Sequence, residues 1–109
     1  MLCDVALSRV FDFLGKRWNG LILGMLGGGP VGFSGLARAV TGISDSVLSE
    51  RLAGLTRAGL VARSVDAGPP IAVSYELTES GLALLPALRE LIRWAETHPV
   101  DAPASPGAC

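Results

Sequence analysis

The stretch that decides the fold is Phe33-Ser34-Gly35-Leu36-Ala37-Arg38-Ala39-Val40, then Thr41-Gly42-Ile43, then Ser44-Asp45-Ser46-Val47-Leu48-Ser49-Glu50-Arg51-Leu52. In its first segment Phe33, Leu36, Ala37 and Val40 recur at helical spacing, which predicts a short amphipathic helix. Thr41-Gly42-Ile43 reads as a tight turn. Ser44 is a good N-cap, and Asp45 suits the first turn of the helix it opens. Leu48, Leu52 and Leu55 then form an apolar stripe that runs to Gly59, a natural stop. A short helix, a turn containing glycine and a second capped helix make a helix-turn-helix.

Behind this unit, Leu60 to Ser64 alternates toward a strand. Asp66-Ala67-Gly68-Pro69-Pro70 is turn chemistry. Ile71, Val73 and Tyr75 alternate again as a returning strand. A hairpin at this place makes the unit a winged helix-turn-helix. Ahead of it, Asp4 to Leu14 predicts a first helix. Trp18, Leu21, Ile22, Met25 and Leu26 lie on one face of a second, stopped at Gly27-Gly28-Gly29-Pro30. Thr78 caps a last long helix with Leu84, Leu85, Leu88, Leu91, Ile92 and Ala95 on its apolar stripe. Pro86 falls inside this helix and is expected to bend it. The expected class is mainly α with a small β-hairpin wing. Residues 1–96 form one domain in this reading, and 97–109, rich in proline and small residues, form a disordered tail.

Composition agrees with a single folded domain. The chain has 109 residues, half of them hydrophobic and 17% charged, which excludes a disordered chain. Trp18 to Ala37 is a 20-residue stretch without a charge, but its seven glycines and Pro30 would break a membrane span. Met1-Leu2-Cys3-Asp4 lacks the pattern of a signal peptide, so a cytoplasmic location is expected. The two cysteines, Cys3 and Cys109, are too few for a disulfide framework. The glycine run lacks the preceding strand and following Lys-Ser/Thr of a phosphate loop. No nucleophile, base and orienter set and no metal-ligand spacing occurs. The chain therefore reads as neither an enzyme nor a cofactor protein.

The formal charge of −1 does not announce a nucleic-acid partner. Placement says more. Within residues 33–66, Arg38, Arg51, Arg57 and Arg63 outnumber Asp45, Glu50 and Asp66 by one, and the remainder of the chain to the C-terminus is acidic. At about 100° per residue, Leu48, Leu52 and Leu55 point inward and Ser46, Glu50, Ala53 and Arg57 outward, with Val47 and Ser49 on the flanks. The N-terminal part of the second helix of such a motif reaches base edges. Ser46, Val47, Ser49 and Glu50 are therefore the base-reading candidates. Serine pairs with several base edges, Glu accepts from cytosine N4, and Val touches a thymine methyl. Ser34, Arg38, Arg51 and Arg63 are candidates for phosphate contacts. For Arg51 an intramolecular ion pair is an equal alternative. Trp18 is read as a core residue. Trp94 lies off the leucine stripe, so the last helix has two faces to bury, which suits a dimer interface.

Six further segments, in order and spacing, resemble the HxlR-type bacterial transcriptional regulators. They are Leu14-Gly15-Lys16-Arg17-Trp18, Gly29-Pro30-Val31-Gly32-Phe33-Ser34-Gly35-Leu36, Gly42-Ile43-Ser44, Val47-Leu48-Ser49-Glu50-Arg51-Leu52, Ala58-Gly59-Leu60-Val61 and Val73-Ser74-Tyr75-Glu76-Leu77-Thr78. Cys3, just ahead of the first helix, also looks like that family. The resemblance spans about residues 3 to 96. It implies a homodimer that binds double-stranded promoter DNA, most simply as a repressor on an inverted-repeat operator. It also implies a dimer interface on the first and last helices, here Phe11, Leu88, Leu91, Ile92 and Trp94. An oxidant or small-molecule inducer is implied too, with Cys3 as a redox sensor. The chain departs from the family at Asp4, where a proline often follows the cysteine, and at Ala72, where the wing often carries a base. A winged helix serving as a protein-interaction module, without DNA function, is the alternative from another class.

Overall fold

The computed structural model describes residues 4–99. Its elements are α1 (Asp4–Leu14), α2 (Asn19–Leu26), β1 (Val31–Gly32), α3 (Phe33–Ala39), α4 (Asp45–Arg57), β2 (Val61–Asp66), β3 (Ala72–Leu77) and α5 (Glu79–Thr97). Cys3 and the tail from residue 100 onward lie outside the described residues, so the sensor reading and most of the disordered-tail reading are not addressed by them. α5 extends one residue into the expected tail, to Thr97.

The helix-turn-helix forms as its residues require. The Ser44 hydroxyl accepts from the Val47 N–H at 3.2 Å and opens α4. Gly42 supplies the left-handed backbone of the turn, with φ 94°. At its far end α4 closes in a Schellman arrangement. The Leu60 N–H donates to the Leu55 carbonyl at 3.1 Å and the Gly59 N–H to the Thr56 carbonyl at 3.0 Å, while Gly59 adopts φ 79°. Leu48, Leu52 and Leu55 are completely buried, as the leucine stripe predicts.

The end of α4 is also where α5 is anchored. The Thr78 hydroxyl donates to the Gly59 carbonyl at 2.6 Å and accepts from the Gly81 N–H at 3.1 Å. The Thr78 N–H donates to the Leu60 carbonyl at 3.0 Å. The chains approach so closely that a Cβ on Gly81 would stand 2.3 Å from the Leu60 carbonyl oxygen. Only glycine fits there without a shift of backbone.

The sheet holds one strand more than the hairpin. β2 and β3 pair antiparallel from Val61↔Leu77 out to Asp66↔Ala72. β1 adds to the other edge of β3 through Val31↔Tyr75 and Gly32↔Ser74, giving the order β1-β3-β2. A two-residue strand is too short to show alternation, and it exists only because β3 offers it a free edge. The wing tip is tightened by the Gly68 N–H donating to the Asp66 carboxylate at 3.1 Å.

The expected face of α2 needs correction. Trp18 does not lie on the face of α2; it precedes the helix as its N-cap with φ 82°. The buried side of α2 is Asn19, Ile22, Leu23 and Leu26, with Leu21 and Met25 only half-buried. The reason is position: α2 touches α1, β3 and α5, so it buries more than one stripe. Pro86 lies inside α5 without ending it. The Leu82 carbonyl that loses its partner sits on an exposed residue, where water can satisfy it.

The outer helices are covered on one side only. α1 has no buried residue. In α5, Leu84, Leu85 and Leu88 pack on the core, but Leu91, Ile92 and Trp94 are 55%, 58% and 53% exposed, and Phe11 on α1 is 57% exposed. Among the described residues, large apolar side chains are thus left exposed on both α1 and α5.

Candidate nucleic-acid interface

α4 is held by its leucines against the core and turns the other side out. Ser46, Ser49 and Glu50 are exposed on that side, and Val47 is half-buried. The Ser44 and Ser46 hydroxyls lie 3.4 Å apart at the start of the helix. Ser34 and Arg38 are exposed on α3, ahead of the turn, and Arg63 is exposed on β2. Arg63 is the single cation of the hairpin, residues 61–77. These hydroxyl, carboxylate and guanidinium groups match the donor and acceptor chemistry of base edges and phosphates.

Arg51 stands apart from the other phosphate candidates. Its Nε–H donates to the Arg17 carbonyl at 3.1 Å, and one terminal nitrogen pairs with the Glu50 carboxylate at 3.1 Å. Its side chain is only 20% exposed. Of the two sequence readings of Arg51, the geometry is that of the internal ion pair, with a tether to the α1–α2 loop added. The Glu50 carboxylate is held by this pair and stays 69% exposed.

The loop so tethered carries features that periodicity does not reveal. The Arg17 guanidinium lies 4.5 Å from the centre of the Trp18 ring, a cation–π contact. The Trp18 ring reaches the turn of the motif, 3.7 Å from where a Cβ on Gly42 would be. A bulky residue at positive φ is strained and persists only where its surroundings fix it. Here the Arg51 tether, the cation–π contact and the turn do so.

Asn19 is the residue that sequence reasoning missed. It is 3% exposed. Its Nδ2–H donates to the Phe13 carbonyl at 2.8 Å, which fixes the orientation of the amide. Its Oδ1 is buried and has no partner among the described residues, an arrangement that costs about 1–3 kcal/mol. The available signal was that Asn19 is the one polar side chain between Trp18 and Phe33.

The residues expected at a dimer seam differ in how far they are covered within the single chain. Phe11, Leu91, Ile92 and Trp94 are exposed and Leu88 is half-buried. Trp94 stacks on His98 with ring centres 5.1 Å apart, and His98 Nδ1 lies 3.1 Å from the Trp94 carbonyl at the end of α5. Among the described residues no cluster of His, Cys, Asp and Glu has the make-up of a metal site. No helix among them is long and apolar enough to cross a membrane.

Comparison with known proteins adds to this geometry. The family described as HxlR-like helix-turn-helix matches residues 13–101. The HTH-type transcriptional regulator YodB of Bacillus subtilis (strain 168) is 40% identical over 90 residues, covering 83% of this chain and 80% of its own. The solved structure described as the reduced form of YodB superposes with a TM-score of 0.82 at 38% identity, covering 94% of this chain and all of that one. A structure described as the redox regulator HypR in its oxidized form gives a TM-score of 0.78 at 28% identity, over 90% of this chain and 99% of that one.

Proposed function

The chain belongs to the HxlR family of helix-turn-helix regulators, and from that premise we propose that it binds promoter DNA sequence-specifically as a twofold dimer and represses transcription by covering the site. The observation that carries this reading is the exposed N-terminal half of α4. Ser46, Ser49 and Glu50 are exposed there, opposite a fully buried leucine stripe. In this reading Ser46, Val47, Ser49 and Glu50 face base edges. Ser34, Arg38 and Arg63 hold phosphates, and Arg51 acts by fixing Glu50 and the α1–α2 loop. The dimer is supported by the exposed apolar residues of α1 and α5. A second copy related by a twofold axis would bury them and set two reading helices at a fixed separation. The test is a titration of labelled genomic fragments at low and moderate salt. Selective retention of one fragment that falls steeply with salt supports the reading. Uniformly absent binding replaces it with a protein-interaction module.

A second reading concerns the signal. YodB and HypR are described as structures of reduced and oxidized regulators, and Cys3 directly precedes α1 in the sequence. A thiol at a helix start gains thiolate character from the helix dipole, while Asp4 opposes it. Oxidant sensing through Cys3 predicts that a mild oxidant changes the DNA affinity of the unaltered protein and of Cys109→Ser, but not of Cys3→Ser. An unchanged response in Cys3→Ser would assign the signal elsewhere.

A further inference from the structure

The C-terminal half of α1, the α1–α2 loop, the flank of α4 and the first turns of α5 line an open cleft of about 730 Å³. That volume falls in the range of small-molecule sites. Its walls carry Arg9, Lys16, Arg51 and Arg57 against Asp12 and Glu50. Glu50 is already paired with Arg51. Among the described residues, Arg9, Lys16 and Arg57 have no ion-pair partner. Phe13 and Leu84 supply an apolar surface that continues into the core. Asn19 forms part of the same wall, and its buried Oδ1 is an acceptor with no donor among the described residues. The amide cannot be turned to relieve this, because Nδ2 is needed at the Phe13 carbonyl.

We propose that this cleft binds a small aromatic carboxylate that carries a hydroxyl or N–H donor, and that its occupancy loosens the hold of the protein on DNA. Each part of such a molecule meets a matching group. The carboxylate is taken by the unpaired guanidinium groups, whose planar fork suits it. The ring lies on Phe13 and Leu84. The donor satisfies Asn19. A polyanion without an apolar body would leave the Phe13 and Leu84 surface unused, and a neutral arene would leave the excess cations unanswered. The regulatory half follows from Arg51, which lines the cleft and also tethers α4 to the Arg17 carbonyl. A carboxylate held by Arg9 and Arg57 in the same cleft also attracts the Arg51 guanidinium, competes with that tether and frees the loop from the reading helix. This half rests on the reading of α4 as the DNA-contacting element; the binding half does not.

The experiment uses the full chain and three compounds: 6-hydroxy-2-naphthoate, its methyl ester, and 6-methoxy-2-naphthoate. Calorimetric titration without DNA should show one acid bound per chain, about tenfold tighter than either analogue, as loss of a charged or buried hydrogen bond implies. Arg57→Gln and Arg9→Gln, both surface changes, should each weaken the acid about tenfold while leaving the thermal transition in place. No heat at about millimolar acid, or equal affinity for all three compounds, overturns the site. A second arm adds promoter DNA. The acid should weaken DNA binding, and DNA should weaken acid binding by the same factor, as linkage requires. Binding of the acid with unchanged DNA affinity overturns the regulatory half alone.

Discussion

Ser49 and Glu50 are neighbours on α4, yet they are held differently. Ser49 is exposed, whereas the Glu50 carboxylate is paired with Arg51 at 3.1 Å. Replacing either by alanine should change which DNA sequences bind, by about 1–3 kcal/mol for each lost base contact, as read by competition among randomised sites. Arg38→Ala should instead weaken all sequences alike and lower the slope of affinity against salt. If Arg38→Ala changes preference and Ser49→Ala does not, the two roles are reversed. Gly81 offers a test without DNA. An alanine there must push against the Leu60 carbonyl, so Gly81→Ala should cost about 1–3 kcal/mol, seen as a lower denaturant midpoint with an unchanged slope. A neutral result would show that the α4–α5 junction gives way easily.

At the scale of elements, what the sequence made legible and what it hid divide by the range of the interaction. α4 could be placed from Ser44, its acidic first turn and its leucines, because cap and stripe lie within the helix itself. The hairpin followed from alternation on either side of Asp66-Ala67-Gly68-Pro69-Pro70. β1 stayed hidden because Val31 and Gly32 become a strand only through β3, over forty residues away. The burial of α2 does not follow from its period, because a period describes one face and this helix has neighbours on several. Among the candidate site residues, exposure of Ser46 and Glu50 followed from the helical period. The tether of Arg51 to the Arg17 carbonyl did not, since it joins residues 34 positions apart. This tether makes a prediction at the same scale. Arg51→Ala should raise hydrogen exchange in residues 15–18 and weaken DNA binding through the loop; Arg51→Lys, which keeps the charge but cannot reproduce the Nε–H bond, should restore little. Full rescue by lysine would assign Arg51 to phosphate contact instead.

For the whole molecule, the exposed apolar residues of α1 and α5 are what the proposed twofold assembly rests on. Leu91 and Trp94 are more than half exposed in a single chain, and apolar surface of this kind is normally covered. Light scattering at micromolar concentration should give the mass of two chains, and Leu91→Asp should give one chain with the same helical content and with lost DNA binding. A wild-type mass of one chain would remove the twofold arrangement and with it the paired reading heads.

In the proposed dimer two copies of α4 read related half-sites on one stretch of DNA, and footprinting on the region upstream of the protein's own gene tests this most directly. Two protected, inverted half-sites should appear with centres about one helical turn, roughly 34–36 Å, or a multiple of it apart, and both should be lost together in Ser49→Ala combined with Glu50→Ala. A single unpaired footprint, or protection unaffected by those substitutions, would contradict the account.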